Sequence, residues 1–215
     1  MRYFPINIDI QNKHCVLIGG GNVAYRKALS LLKAGANITL ISPEINDGVS
    51  RLVNEKSLKW FERRYESGDL EGAALVIVAV DDPSVGREVS EEATRLNVLI
   101  NVADIPEQCT FTLSSCIERG ALLVTISTGG RCPAFSRHMR LKLEEIIDQA
   151  YGDLLNILGE AREKLLEAGI SSDNCRDSLN KIIYSDILSI LREGEHEKAA
   201  ALADKTVSQA VLKFK

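Results

Sequence analysis

The feature that most constrains the fold is an apolar run that passes through three glycines directly into an amphipathic segment. The run begins at Val16, the glycines occupy 19–21 and the amphipathic segment covers 24–32. This order predicts a strand, a tight turn and the start of a helix. In the pattern G-x-G-x-x-A, Gly19 makes the turn, Gly21 lets the backbone approach a pyrophosphate and Ala24 packs the helix on the sheet. The N–H groups of that helix start would face phosphate oxygens, so the motif predicts a dinucleotide site.

Strand and helix signals alternate along the N-terminal half of the chain, as they do in βαβ units. The predicted strands are 14–19, 37–42, 58–62, 74–80 and 98–102, and the predicted helices are 22–34, 44–55 and 83–96. Gly35 is placed to end the first helix, and Pro43 to begin the second. The run 73–80 is continuously apolar, as expected of a strand covered on both faces. The sequence therefore predicts an α/β fold with a Rossmann-type parallel sheet.

The character of the sequence changes after residue 104. Residues 109–113 and 121–127 have the pattern of two more short strands, and nearly everything from Pro133 onward has the pattern of helices. Leucine and isoleucine recur at helical spacing on either side of a break at 169–174. We therefore expect a small α+β region and then a helical C-terminal domain, whose helices bury one face against each other or against a second subunit.

Composition argues against several classes of function. The net charge of −4 disfavours general nucleic-acid binding, which needs a basic surface. The N-terminus lacks the apolar core of a signal peptide, and no apolar stretch approaches the roughly 18 residues of a membrane span, so we expect a cytoplasmic protein without a membrane partner. The five cysteines include no C-x-x-C pair and there are only three histidines, so neither a disulfide framework nor a permanent metal site is expected.

In an open parallel sheet the ligand lies outside the carboxyl ends of the strands. After the second predicted strand come Pro43 and Glu44, where Glu44 either reaches the ribose hydroxyls or complements the dipole of the next helix. No arginine stands there to hold a 2′-phosphate, which favours NAD over NADP. After the fourth predicted strand, Asp81 is a candidate for the nicotinamide end of the cleft, or part of a helix-capping turn. Asp82, just before Pro83, has the pattern of an N-cap.

Asp104 follows the fifth predicted strand, where the sheet meets the second part of the chain. It is a candidate general acid or base, or a group that holds a cation. Because an ordinary aspartate has a pKa of about 3.9, a base at neutral pH would need burial in the cleft to raise that value. The alternative, an Asx-type turn before Pro106, stays open.

A second glycine turn, at 127–133, leads into a strongly basic helical segment. Residues 131–142 contain no acid and five basic or potentially basic side chains, which are Arg131, Arg137, His138, Arg140 and Lys142. In an acidic protein, such a run beside a helix N-terminus predicts a ligand with several carboxylates or phosphates. The alternative is a solvated helix face.

Taken together, these pieces resemble the precorrin-2 dehydrogenase and sirohydrochlorin ferrochelatase family of siroheme biosynthesis, which includes the N-terminal module of bacterial siroheme synthase. The matching pieces occur in family order and are Phe4-Pro5-Ile6 and the segments 19–27, 31–36, 79–82, 101–104 and 126–133. The resemblance implies an NAD-binding Rossmann domain over 1–112, a dimerisation region over 113–148 and a helical C-terminal domain over 149–215, in a homodimer.

The resemblance also implies a reaction and a site. NAD⁺ takes a hydride from precorrin-2, which also loses a proton, to give sirohydrochlorin, and some family members then insert Fe²⁺. Asp104 matches the aspartate that the family uses for dehydrogenation and for chelation, where iron would be bound only transiently. Thr128 matches a serine or threonine that lines the tetrapyrrole site. The cofactor contacts of the family fall on Asn22, Val23, Pro43 and Glu44.

The tetrapyrrole carries many carboxylates, which would give Arg131 and Arg137 a partner. His138 either approaches the macrocycle or lies on the helix surface. Two other functions remain open at this point: a small dehydrogenase with another class of substrate, and a non-catalytic module that senses NAD.

Overall fold

A five-stranded parallel sheet forms the centre of the first of two units in the computed structural model, which describes residues 3–214. The strands are β1 (His14–Ile18), β2 (Asn37–Ile41), β3 (Lys59–Phe61), β4 (Leu75–Val78) and β5 (Leu99–Val102). Their order in the sheet is β3-β2-β1-β4-β5. The chain moves to one side of β1 and then to the other, so the carboxyl ends of β1 and β4 form a topological switch point. This confirms the predicted Rossmann-type sheet.

Three helices cover the two faces of this sheet. They are α1 (Asn22–Lys33), α2 (Asp47–Asn54) and α3 (Pro83–Leu96). Ala24 of α1 shares a core with Leu17, while Val89 of α3 shares a second core with Val16 on the opposite face of β1. All four residues of β4 are buried, which confirms the prediction of a strand covered on both faces.

The two predicted boundaries of these helices have opposite outcomes. Gly35 does follow the end of α1, and its φ of +76° is the conformation that ends many helices. The prediction that Pro43 begins the second helix is wrong, because α2 starts at Asp47. Asn46 caps it, since its side chain accepts a hydrogen bond of 2.9 Å from the Val49 N–H. The residues between β2 and α2 form a loop.

The predicted strand at 109–113 is also wrong. A short 3₁₀ turn, Pro106–Gln108, precedes this segment, which then runs beside β5 without forming a ladder. The Thr110 side chain accepts a hydrogen bond of 2.8 Å from the Ile100 N–H, a position that a ladder partner's backbone would otherwise occupy. Side chains thus replace the backbone ladder at this edge.

The second unit begins at Ser114 and, over its described residues 114–214, combines a hairpin with five helices. The hairpin is antiparallel, and its second strand confirms the prediction at 121–127. The elements of the second unit are β6 (Ser115–Arg119), β7 (Leu122–Ile126), α4 (Pro133–Glu144), α5 (Gln149–Glu167), α6 (Ser172–Ile183), α7 (Ile187–Arg192) and α8 (His196–Phe214). Helices α5 to α8 share one apolar core, and the predicted break at 169–174 covers the end of the connection between α5 and α6 and the first three residues of α6. A further domain boundary after residue 148 stays a prediction.

None of the helices within residues 3–214 is long and apolar enough to span a membrane.

Candidate functional site

The three glycines after β1 meet three different constraints. Gly19 has a φ of +114°, and a Cβ there would lie 2.2 Å from the Ala79 carbonyl oxygen. A Cβ on Gly20 would lie 1.9 Å from the Glu44 carbonyl oxygen. At Gly21, by contrast, no described atom outside its own stretch of backbone comes within 4 Å of the Cβ position. The turn therefore packs tightly on two sides and is open at Gly21, where the sequence predicted a pyrophosphate.

The N-terminus of α1 differs from the N-termini of the other two helices in this unit. Asn46 caps α2, and Asp82 caps α3 by accepting a hydrogen bond of 2.9 Å from the Ser84 N–H, which confirms the predicted N-cap. The hydrogen bonds from Ser84 also lower the pKa of Asp82. Gly21 occupies the N-cap position of α1, where no side chain of the described residues accepts from the first turn. The N–H groups at the start of α1 are thus available for phosphate oxygens, and the turn fits a dinucleotide.

The loop after β2 is held against the glycine turn. Asn46 donates its backbone N–H to the Gly20 carbonyl at 2.9 Å and its side-chain amide to Asn22 Oδ1 at 2.8 Å. Within the loop, Ser42 donates its hydroxyl to the Glu44 carbonyl at 2.6 Å. Sequence reasoning missed both Gly20 and Asn46. The extra glycine between the two motif glycines was the available signal for Gly20, and an asparagine just before a helix was the signal for Asn46.

Pro43 and Glu44 are exposed in this loop, beside the glycine turn. Glu44 precedes the N-cap of α2, and the acidic residue in the first turn of that helix is Asp47. Glu44 therefore lies outside the first turn of α2, and its ribose role stays a prediction. Asp81 is exposed after β4, where the Ala79 N–H donates to the Ile18 carbonyl at 2.7 Å and so keeps this turn beside β1.

Asp104 lies at the carboxyl end of β5 in a left-handed conformation, with a φ of +62°. The Ala103 N–H donates to the Val78 carbonyl at 2.9 Å, which extends the β4–β5 pairing up to this turn. The side chain of Asp104 is exposed in this chain, in contrast to the cleft burial expected from the sequence. Among the described residues, no hydrogen bond to its carboxylate is found, so the structure offers no support for an Asx-type turn.

Lys27 is a charged neighbour of Asp104 that the sequence motif contained but did not single out. It lies on α1 and is partly buried. Burial lowers the pKa of the Lys27 ammonium and Arg26 lowers it further, whereas the Asp104 carboxylate raises it. Lys27 is therefore within electrostatic reach of Asp104. Its place as the last residue of the matched segment 19–27 was the available signal.

We expect Asp104→Asn to lower the pKa of Lys27 below its value in the unchanged protein. Burial and Arg26 lower the Lys27 pKa, and Asp104 is the one cause of the shift that raises it. Removing the carboxylate therefore leaves only the two effects that lower the pKa. Titration of isotopically methylated lysines by NMR would measure it, with exposed Lys13 as the internal reference. Glu91→Gln on α3 is the matched control and should leave the Lys27 pKa unchanged. An unchanged Lys27 pKa in Asp104→Asn would contradict the electrostatic link.

In the second unit, Thr128 closes the turn before α4. Its hydroxyl lies 3.1 Å from the Ser136 hydroxyl and accepts a hydrogen bond of 3.3 Å from the Cys132 N–H. Gly129 and Gly130 both have positive φ angles in this turn. These contacts give Thr128 a structural role, and its role in binding the tetrapyrrole stays a prediction.

The basic run that follows is only partly available to a ligand. Arg131, Arg137 and His138 are exposed, and the His138 ring stacks on Phe135 with 6.3 Å between ring centroids. Arg140 forms an ion pair of 2.6 Å with Glu144, which lies just beyond the run. No group of three or more metal-binding side chains was found among residues 3–214.

The sheet order and the open glycine turn define a Rossmann domain of the NAD(P)-binding class. The chain belongs to the family described as "Putative NAD(P)-binding", which matches residues 6–115, just over half of its 215 residues.

More specific relatives come from the curated proteins. The chain is 40% identical over 165 residues to "Siroheme synthase" of Vesicomyosocius okutanii, a match that covers 77% of this chain and 35% of that protein. It is 34% identical over 201 residues to "Siroheme synthase" of Ruthia magnifica, covering 94% of this chain and 43% of that protein. The chain thus spans less than half the length of these relatives. The matches confirm the resemblance to the siroheme synthase family.

One solved structure confirms the fold. The protein titled "SirC, precorrin-2 dehydrogenase" superposes with a TM-score of 0.77 at 21% identity, covering 94% of this chain and all of that one. The coverage includes the parallel sheet, the hairpin region and the helical C-terminal part.

Proposed function

We propose that this chain catalyses the NAD⁺-dependent dehydrogenation of precorrin-2 to sirohydrochlorin. The observation that carries the proposal is the carboxyl edge of the sheet, where an uncapped helix start and an open glycine turn share one edge with the Asp104 carboxylate. The siroheme synthase relatives and the fold shared with a precorrin-2 dehydrogenase support this choice of substrate.

The residues of this edge divide into cofactor and catalytic roles. Gly19 and Gly21 shape the turn for the pyrophosphate, and the N–H groups of Asn22 and Val23 bind it. Pro43 and Glu44 border the adenosine ribose, and the Glu44 carboxylate accepts a hydrogen bond from the 2′-hydroxyl. Because the loop 42–46 contains no arginine that could bind a 2′-phosphate, NAD is preferred over NADP. Asp81 borders the nicotinamide end. Bound NAD⁺ supplies the hydride acceptor.

Asp104 accepts the proton that precorrin-2 loses as its hydride leaves. The carboxylate is exposed and accepts no hydrogen bond from the described residues. These properties leave its oxygens accessible to a substrate proton, which is the first requirement of a general base. The same exposed carboxylate is our candidate for holding Fe²⁺ as a second substrate during chelation.

Thr128, Arg131, Arg137 and His138 bind the tetrapyrrole carboxylates in this proposal. Arg131 and Arg137 are exposed and form no ion pair with a described residue, so their guanidinium groups are available for bidentate contacts. We expect Arg131→Glu and Arg137→Glu each to raise the KM for precorrin-2 at least about fivefold, as for one exposed charge contact worth about 1 kcal/mol.

The effect of either substitution should shrink at high salt, because exposed charges are screened. Lys181→Glu, a charge reversal on the exposed surface of α6, is the matched control and should leave the KM unchanged. Steady-state kinetics at two ionic strengths measure both effects. Equal KM values for the arginine variants and the control would remove both arginines from the substrate site.

We also propose a homodimer formed through the region 113–148. Large apolar side chains are exposed there, including Phe135 at 53% and Ile146 at 58% relative exposure. A subunit interface would cover such exposed apolar side chains. The molar mass in solution, measured by light scattering, tests this proposal, and a monomer at micromolar concentration would contradict it.

The experiment that tests the function is an anaerobic absorbance time course with purified protein and enzymatically generated precorrin-2. It is run without NAD⁺, with NAD⁺, and then with Fe²⁺ added. We expect the sirohydrochlorin spectrum only when NAD⁺ is present. Faster conversion to siroheme than in a protein-free control would show that the chain also inserts iron.

Two other outcomes would favour other functions. If the folded protein binds NAD⁺ but leaves precorrin-2 unchanged, the substrate assignment fails. Activity on another hydride donor would then indicate a different small dehydrogenase, whereas the lack of any turnover would favour a module that senses NAD.

A further inference from the structure

The thiol of Cys109 is bound into the turn that carries Asp104. Its sulfur accepts a hydrogen bond of 3.2 Å from the Val102 N–H. It also lies 3.3 Å from the Val102 carbonyl oxygen and 3.3 Å from the Ile105 carbonyl oxygen, and its S–H donates to one of them at a time. One side chain therefore spans the turn from the last residue of β5 to the residue just after Asp104.

This turn requires support because of its backbone conformation. A φ of +62° places Asp104 in the left-handed region, which aspartate adopts more readily than most residues but less readily than glycine. The backbone hydrogen bond across the turn, from the Ile105 N–H to the Val102 carbonyl, is long at 3.4 Å. The Cys109 contacts on both flanks of Asp104 add to this weak backbone bond.

We propose that Cys109 is a positioning residue, whose thiol holds the turn 102–105 so that the Asp104 carboxylate meets its substrate. This inference rests on the proposed dehydrogenase function for its kinetic consequence. The turn requires a side chain at position 109 that accepts a hydrogen bond from the Val102 N–H and also donates one to a carbonyl oxygen of the turn. A serine hydroxyl retains both capacities, whereas an alanine methyl has neither.

Thr110 provides a matched control one residue away. Its hydroxyl accepts from the Ile100 N–H at 2.8 Å, and its backbone N–H donates to the Ile100 carbonyl at 2.9 Å. Thr110 thus anchors the same segment to β5. Its bonding partner on that strand, Ile100, lies two residues before the turn 102–105 begins. Loss of its hydroxyl should lower stability without moving Asp104.

The kinetic test compares Cys109→Ala, Cys109→Ser and Thr110→Val. We expect Cys109→Ala to lower kcat by about 10- to 100-fold, the cost of a misplaced catalytic group, with the KM for NAD⁺ within about twofold of the original. Cys109→Ser should recover most of the lost kcat. Thr110→Val should retain the kcat of the unchanged protein, even if its Tm falls by as much as the Tm of Cys109→Ala. Equal kcat losses in Cys109→Ala and Thr110→Val would reduce Cys109 to a purely structural role and overturn the proposal.

A second readout does not depend on dehydrogenase activity. Because the Asp104 carboxylate raises the pKa of Lys27, displacing Asp104 should lower that pKa in Cys109→Ala but not in Thr110→Val. NMR titration of the lysines measures it in the full chain. If the protein has no activity on precorrin-2, the function fails while this titration still tests the positioning. An unchanged Lys27 pKa in Cys109→Ala would overturn it.

Discussion

Replacing Asp104 by asparagine is expected to lower kcat for dehydrogenation by about 100- to 10,000-fold, the range typical for loss of a general base. Asparagine tolerates a left-handed φ as well as aspartate does, so the turn after β5 should keep its conformation. The change removes the carboxylate without removing the shape of the side chain. Single-turnover kinetics with precorrin-2 and NAD⁺ measure the loss.

Two controls separate a catalytic effect from an effect on folding or on cofactor binding. The Kd of NADH, measured by fluorescence, should stay within about twofold, because the pyrophosphate is bound at the glycine turn and not at Asp104. Glu91→Gln, which changes an exposed carboxylate on α3, should retain full activity. Near-normal kcat in Asp104→Asn would exclude Asp104 as the base.

The second large effect is expected from Gly19→Ala, which should lower the free energy of unfolding by about 3 kcal/mol or more. The alanine would adopt a φ of +114° and place its Cβ 2.2 Å from the Ala79 carbonyl oxygen. Backbone strain of this kind costs about 1–3 kcal/mol, and overpacking adds a similar amount. Urea denaturation of the purified protein measures the difference.

Gly21→Ala is the matched substitution with the opposite expected result. Gly21 has a φ of −84°, and no described atom outside its own stretch of backbone lies within 4 Å of its Cβ position, so stability should change by less than about 1 kcal/mol. The new methyl would occupy space assigned to the pyrophosphate, so the Kd of NADH should rise at least about tenfold. Unchanged NADH affinity would place the pyrophosphate elsewhere, and an unfolded Gly21→Ala protein would show that the open space is needed by the fold itself.

The local signals of the sequence were sufficient for the elements of the sheet. The apolar run before Gly19 and the alternation of strand and helix patterns depend on contacts within short segments, and each predicted strand of the parallel sheet is present. Asp82 was recognised as an N-cap because capping acts over two or three residues. Such features follow from neighbours in the chain.

The features that the sequence did not reveal depend on distant residues. Gly20 is required because the Glu44 carbonyl lies against it, and Lys27 matters because β5 brings Asp104 near α1. The alternating residues of 109–113 have the period of a strand, yet the side chain of Thr110 bonds to β5 where a ladder would form. Periodicity alone does not distinguish these two ways of lying beside a strand.

The side-chain bonds along β5 also affect how this protein behaves at high concentration. An edge strand with unpaired N–H and C=O groups is a template on which another chain can add a strand and begin to aggregate. Thr110 occupies the outward groups of Ile100, and Cys109 occupies those of Val102. The opposite edge, β3, has only three residues. Both borders of the folded sheet are therefore poor templates for intermolecular strand addition.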